Sequence, residues 1–214
     1  MNSSLKNKRI LVTCGPTWVP IDPMRVISNR STGTLGKTIA RDFAKAGAKV
    51  TLLEGPVAEP LRQKGIRVLK FCFFDEFARL IKKELKKKFD VCVHAAAVSD
   101  YRIKNAKRTK LSSHLRTVKL TLVPTQKIVH SIKKLNPGLL LVAFKLESTM
   151  AKALARKKTQ ALFRDGTCDL AVANSSEGKN YSGYILDKNK NILAHKRSRR
   201  EISSALVNTV KDLL

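Results

Sequence analysis

Anion-handling residue types crowd into one stretch behind the first apolar run. Gly15-Pro16-Thr17 is followed by Arg25, Asn29, Ser31, Gly33, Gly36 and Lys37, and then by Leu35, Ile39, Ala40 and Phe43 at helical spacing. Gly36 and Lys37 therefore fall in the first turn of a helix. Unpaired backbone N–H groups and the positive end of the helix dipole favour a phosphate there. Gly33 and Gly36 let the backbone approach an anion closely, and Asn29 supplies a neutral amide. Two familiar nucleotide signatures do not account for the pattern. The dinucleotide fingerprint GxGxxG is absent after the first strand, because Gly15 is followed by Pro16-Thr17. The phosphate-loop motif is nearly met at Ser31-Thr32-Gly33-Thr34-Leu35-Gly36-Lys37-Thr38, but its first position is Ser31 and its distance from the strand is wrong.

Further candidates stand at the ends of other apolar runs. Ala95-Ala96-Ala97-Val98-Ser99-Asp100-Tyr101 leaves room for a flat base or ribose beside Asp100, or simply packs tightly. Phe144-Lys145-Leu146-Glu147 offers either a stacking platform with a charged pair, or core followed by solvated charge. Asn174 ends another run. Lys107, Arg108 and Lys110 read as solvated charges when taken alone. His94, His114, His130 and His195 form no constellation with carboxylates or thiols, so they are assigned no chemistry. Cys14, Cys72, Cys92 and Cys168 lack metal-ligand or CxxC spacing and read as reduced thiols.

The elements that must position these residues alternate. Ile10–Thr13 reads as a buried strand, and residues 35–43 as a helix closed by Gly47. Lys49–Leu53 reads as a strand ended by Gly55-Pro56. The unit repeats with a strand at Ile66–Lys70, a helix capped by Asp75, and a fully buried strand at Asp90–Ala95. Tyr101–Lys119 is polar, basic and aperiodic, an extended arm of the length usually reserved for function. Beyond it the pattern predicts a strand at Leu120–Val123, a helix carrying Ile128, Ile132 and Leu135, and a strand at Leu139–Phe144. A helix from about Met150 to Phe163, a strand at Asp169–Asn174, a hairpin around Asp187–Lys190 and a C-terminal amphipathic helix complete the chain. This order predicts a Rossmann-like, doubly wound α/β fold: a mainly parallel sheet with helices on both faces, plus the arm and the hairpin. If the first, Asp90–Ala95, Leu139–Phe144 and Asp169–Asn174 strands are neighbours, their ends converge on one cleft.

Composition sets the limits. The 214 residues suit one domain spanning 1–214, with the arm at about 101–119. No apolar run approaches a membrane span, and the first residues lead into a strand rather than a signal segment, so a cytoplasmic location is expected and no membrane partner. Lysine and arginine number 43 against 16 acidic residues, a net +27. That balance suits either nucleic acid or small polyanionic substrates. The lysines of Lys82–Lys88 and the cations of Lys196–Arg200 lie on or beside helices without interleaved aromatics, as solvated faces do. No nucleic-acid-binding motif appears, so specific nucleic-acid recognition is not expected.

The loop from Gly15 to Lys37, Ala96-Ala97-Val98-Ser99-Asp100-Tyr101-Arg102, Phe144-Lys145-Leu146-Glu147 and Val172-Ala173-Asn174 together resemble the phosphopantothenate–cysteine ligase family of coenzyme A biosynthesis. The similarity runs from about Arg9 to Asn174. It implies a nucleotide-dependent enzyme joining 4'-phosphopantothenate and L-cysteine through an acyl-nucleotidyl intermediate, with Mg²⁺ and with CTP preferred to ATP. Asn29 and Lys110 match the family's catalytic positions. Ala95, Ala96, Asp100, Lys110, Val123, Pro124, Thr125, Gln126, Phe144 and Lys158 match its nucleotide-binding positions. Gly15, Thr17, Arg25, Asn29, Ser31 and Gly33 match the substrate and phosphate loop; no metal ligands are assigned. The arm keeps one lysine, Lys110-Leu111-Ser112-Ser113, where many bacterial members carry three. The family's second helix-borne lysine has Arg164 as its nearest counterpart. The flavin-dependent decarboxylase region often fused to the family is absent, so FMN is not expected and a separate decarboxylase would act next. The resemblance also implies a homodimer with the arm reaching between subunits. The competing readings are a basic nucleic-acid-binding α/β protein and a Rossmann-type nicotinamide oxidoreductase.

Overall fold

The computed structural model describes residues 5–177 and 180–214, so the lead-in Met1–Ser4 lies outside it. Its centre is an eight-stranded sheet in the order β12-β11-β10-β9-β6-β1-β4-β5. The six parallel strands are β1 (Arg9–Cys14), β4 (Lys49–Glu54), β5 (Ile66–Lys70), β6 (Val91–His94), β9 (Leu140–Glu147) and β10 (Leu170–Glu177). The antiparallel strands β11 (Asn180–Asp187) and β12 (Ile192–Lys196) extend one edge. The parallel part has the doubly wound order, with reversal between β1 and β6, and ligands in such sheets bind at that switch point. The strands expected to converge do so, because β1, β6, β9 and β10 are consecutive neighbours.

Side-chain alternation on the strands divides the core between two faces. Ile10, Val12 and Val93 pack under α1 (Thr34–Lys45) and α5 (Arg199–Asp212). Leu11, Cys92 and Leu141 pack under α2 (Phe74–Leu85) and α3 (Ile128–Leu135). Ala155 of α4 (Lys152–Phe163) joins Ala173, Tyr184 and Leu186 in a smaller cluster toward the β11 edge. Ser203 Oγ donates to Asp42 Oδ2 at 2.7 Å and ties α5 to α1.

Three local expectations need correction. The stretch after Gly15 is a hairpin rather than a loop: β2 (Trp18–Asp22) pairs antiparallel with β3 (Arg25–Ser28), turning at Asp22. Asp22 Oδ1 accepts from the backbone N–H groups of Met24 and Arg25, a local turn device with no periodic signature. Asp75 does not cap α2. Phe73 holds the cap position, and Glu76 reaches back to accept from the N–H groups of Cys72 and Phe73 at 2.8 and 3.2 Å. The run at Leu120–Val123 does not enter the main sheet. β8 (Leu122–Pro124) pairs only with β7 (Tyr101–Ile103), so the arm leaves and returns through its own two-stranded ribbon. Gly47 follows the end of α1 in the left-handed region, φ 93°, as expected of a helix terminator.

Candidate active site at the sheet switch point

The switch point is built by backbone. As β1 ends, Gly15 takes a left-handed φ of 79° and Gly33, before α1, one of 68°. An added Cβ on Gly33 would lie 3.3 Å from Gly15 N, so the two glycines meet across the base of the hairpin. On Gly36 it would lie 2.5 Å from Cys14 Cβ, so only glycine lets α1 pack this closely on β1. Gly15 thus makes the tight turn after β1, Gly33 lets two backbone segments meet and Gly36 lets the helix pack on the strand, although the hairpin of residues 16–32 separates the first glycine from the other two. Gly55, read from sequence only as a strand end, seals the same corner, because a Cβ there would clash with the Pro16 carbonyl oxygen.

The loop after β6 is laced to this corner. Ala97 N donates to Gly15 O at 2.9 Å, and Thr17 N donates to Ala97 O at 3.3 Å. Asn29 Nδ2 also donates to Ala97 O, at 3.1 Å. Ser99 N donates to the buried Thr17 Oγ1 at 2.9 Å, and Thr125 Oγ1 donates to Ser99 O at 2.6 Å. Gly15, Thr17, Asn29, Ala97, Ser99 and Thr125 therefore form one connected frame, which Ala95 and Ala96 join through their N–H bonds to Thr13, with the N-terminus of α1 opening beside it. α1 has no side-chain bond from its cap residue Gly33 and no acidic residue in its first turn, and Thr34 N makes only a long bond to Thr32 Oγ1 at 3.4 Å, an N-terminus that suits an anion. Ser31, half-buried, donates its N–H to Asn29 O at 2.9 Å and holds the loop that carries the amide.

Sequence reasoning overlooked the support beneath. Thr13 Oγ1 accepts from Ala96 N at 3.1 Å and pairs with His94 Nδ1 at 3.0 Å. His94 is buried and stacked on Phe77, with rings 5.9 Å apart and 6° from parallel. Burial pushes its pKa down to about 4, so the imidazole is neutral at pH 7. Alternation alone could have flagged a polar residue at the end of a buried strand. Cys14, also buried here, has its thiol pushed up to about 12 by burial and then by the nearby Glu54 charge, so it is no nucleophile.

Other expected site residues lie in different settings. Lys37 is buried and donates to Glu59 O at 2.6 Å. Arg25 sits at the hairpin tip and donates through Nε and Nη2 to Asp22 and through Nη2 to Leu111 O at 2.7 Å. Leu111 N donates to Asp22 Oδ2 at 3.0 Å, and Lys107 N to Ile21 O at 3.0 Å. These bonds tether the arm. The Arg25 guanidinium, followed by the Leu111 N–H, holds the Asp22 carboxyl well below the usual carboxylate range. Lys110, beside this tether, is exposed. Asp100 is exposed and paired with Lys127 at 2.6 Å. Val123 and Pro124 lie in β8, and Gln126 donates to Ser131 Oγ at 3.2 Å. Phe144 is half-buried against the core, and the run to Glu147 continues β9 beyond it. Lys158 of α4 pairs with Glu147 at 3.1 Å, and Lys145 with the same carboxylate at 3.4 Å. Arg164, in a short 3-10 turn after α4, is exposed.

Among the described residues no cluster of three or more His, Cys, Asp or Glu side chains could cage a metal ion.

The model of the DNA/pantothenate metabolism flavoprotein C-terminal domain matches residues 5–213. The coenzyme A biosynthesis bifunctional protein CoaBC of Thermococcus kodakarensis is 42% identical over 178 residues, covering 80% of this chain and 42% of that protein. Its namesake from Borreliella burgdorferi is 32% identical over 203 residues, covering 92% of this chain and 49% of that protein. The chain thus spans about half, or less, of these relatives' length. Among solved structures, the DNA/pantothenate metabolism flavoprotein of Streptococcus pneumoniae superposes with a TM-score of 0.85 at 24% identity, covering 97% of this chain and all of that one. Cab2 mutant H337A in complex with phosphopantothenate-cysteine gives 0.78 at 20% identity, covering 97% and 87%. At these identities the structural likeness speaks for the fold. No helix among the described residues is long and apolar enough to cross a membrane.

Proposed function

Because the chain belongs to the family of the DNA/pantothenate metabolism flavoprotein C-terminal domain, we propose that it is a phosphopantothenate–cysteine ligase domain spanning residues 1–214. In this reading the substrate carboxylate attacks the α-phosphorus of CTP, or of ATP, and pyrophosphate leaves. The cysteine amine then attacks the acyl carbon, the nucleoside monophosphate leaves and an amide forms. The observation that carries the reading is the bond from Asn29 Nδ2 to Ala97 O, which sets a neutral amide between the glycine corner and the loop after β6. An amide there can hold an acyl phosphate without adding charge.

The chain's contribution is positioning and charge neutralisation. Gly15, Ser31, Gly33 and the α1 N-terminus receive phosphate oxygens. Ala95, Ala96, the turn from Val123 to Gln126 and Phe144 border the nucleoside. Lys158 of α4, paired with Glu147 at the end of β9, and Lys110 on the arm bring positive charge to the phosphates from two sides. Thr17 acts through the frame, and Arg25 by holding the arm. Bound Mg²⁺ would offset phosphate charge. Exposed apolar side chains on the hairpin (Met24, Val26, Ile27) and arm (Leu115, Val118, Leu120) support a homodimer in which these elements meet the second subunit. A decarboxylase activity would consume the product, and a cytoplasmic location suits these substrates.

The test is turnover by purified protein. Pyrophosphate should appear only with nucleotide, Mg²⁺ and phosphopantothenate together, and the amide only on adding cysteine. Failure with both CTP and ATP would overturn the assignment. A thermal-shift panel of CTP, ATP, NADP and an oligonucleotide separates this reading from a nicotinamide or nucleic-acid site.

A further inference from the structure

Away from the switch point, α4 and the β11–β12 edge border an open cavity of about 490 Å³ lined by Lys152, Arg156, Tyr184, Asn191, Ile192 and His195. Tyr184 and His195 are cross-strand partners whose rings stack 4.1 Å apart and 7° from parallel. Tyr184 is buried, so the exposed His195 presents the outer face of the stack. Ser182 Oγ, 3.1 Å from His195 Nε2, helps fix the ring. Lys152 and Arg156 stand one helical turn apart on the opposing wall. Neither forms an ion pair with a carboxylate among the described residues, and Arg156 spends only Nε, on Lys190 O at 3.3 Å. The Asp187 carboxylate of the same hairpin accepts from Asn191 N and Nδ2 at 2.8 and 3.0 Å and forms no ion pair with either cation. α4 begins at this wall with Ala151 in the cap position, no side-chain cap and no acidic residue in its first turn. Lys158 lies on another flank of α4, held by Glu147 at the end of β9.

Unneutralised cations facing a rigid aromatic platform recognise a phosphate joined to a planar ring. The volume lies within the roughly 300–1,000 Å³ of small-molecule sites. We propose that the α4/β11–β12 cavity is a second ligand site, for a nucleoside monophosphate, with the phosphate on Lys152 and Arg156 and the base on His195. The site is independent of the ligase reading.

The test is calorimetric titration of the full chain with AMP, adenosine and inorganic phosphate, repeated in the Lys110→Gln background to weaken nucleotide binding at the switch point. Saturable AMP binding should persist in that background. It should fall by about tenfold or more in Lys152→Ala/Arg156→Ala, since charge-assisted bonds are lost. His195→Ala should weaken AMP several-fold while leaving inorganic phosphate unchanged. These positions are exposed, so the variants should keep the parent melting temperature. Three results would overturn the proposal: no saturable AMP binding, adenosine binding as tight as AMP, or binding abolished by Lys110→Gln yet intact in the double variant. Failure of the ligase reading would instead appear as absent turnover with CTP and ATP and would leave this titration unaffected.

Discussion

The glycine corner and the arm hold the two halves of the proposed site in opposite ways. At the corner, Gly15, Thr17 and Ser99 are buried and are joined to one another or to the half-buried Ala97 by bonds of 2.9–3.3 Å, and a single added methyl on Gly36 or Gly55 has nowhere to go. On the arm, Leu115, Val118 and Leu120 are exposed, and the tether runs through the Asp22–Arg25–Leu111 knot and the Lys107–Ile21 bond. The corner is preorganised, whereas the arm must gain its remaining contacts from ligand or partner. Asn29 belongs to the first kind and Lys110 to the second.

Substitutions can break or sharpen this contrast. The largest effect is expected from Lys110→Gln, which should lower pyrophosphate release by about 10²-fold or more without moving the melting temperature. Near-normal release would remove Lys110 from the first step. Asn29→Ala should leave pyrophosphate release largely intact while amide formation drops by roughly 10²-fold, so that acyl nucleotide accumulates and can be detected by mass spectrometry. Unchanged amide formation would dissolve the distinction between the two residues.

Stability should divide the same way. Gly55→Ala at the corner should cost about 2–3 kcal/mol in urea unfolding, whereas Val118→Ala on the arm should stay within about 0.5 kcal/mol. Equal effects would mean the arm is as tightly packed as the corner. Corner stability should also depend on pH through His94. Its folded pKa of about 4 lies below the ordinary 6.5, so the unfolded chain binds the proton first. Its contribution is complete above pH 6.5 and is lost as pH falls toward 4, by about 1.4 kcal/mol per unit of separation at most. His94→Gln should flatten that slope; an unchanged slope would show that other groups cause it. The smallest effect concerns the tether. Because the Asp22 pKa is depressed, the tether should hold from neutral pH down through the ordinary carboxylate range and loosen only in stronger acid. Asp22→Asn should raise tryptic cleavage at Lys107, Arg108 and Lys110 several-fold at neutral pH, and unchanged cleavage would show that the arm is held elsewhere.

Periodicity made the main sheet and its helices legible, because burial on one or both faces writes itself into residue spacing. Ile39, Ala40 and Phe43 are buried as their spacing requires, and the turn at Asp187–Lys190 follows from its flanking runs. Short elements held by specific bonds were not legible. The hairpin at Trp18–Ser28 exposes all of β3 and has no alternation to read. Glu76 outcompeted Asp75 because reaching two N–H groups depends on cap geometry rather than residue type. Lys37 falls in the first turn of α1 as its spacing requires, but the carbonyl that receives its ammonium lies 22 residues away and is not written in that spacing.

By itself the sequence determined the alternation of strands and helices, the glycine, amide and lysine inventory, and the resemblance on which the ligase reading rests. All of these are properties of residue type and local spacing. Only the tertiary structure decided that Gly33 closes on Gly15 across the hairpin, that Ala97 receives both Thr17 and Asn29, and that Asp22 binds the arm. Each of these contacts joins segments distant along the chain, or depends on left-handed backbone and backbone donors that residue identity does not encode. The same holds for the cavity beside His195, whose walls come from a helix and a hairpin separated by an entire strand.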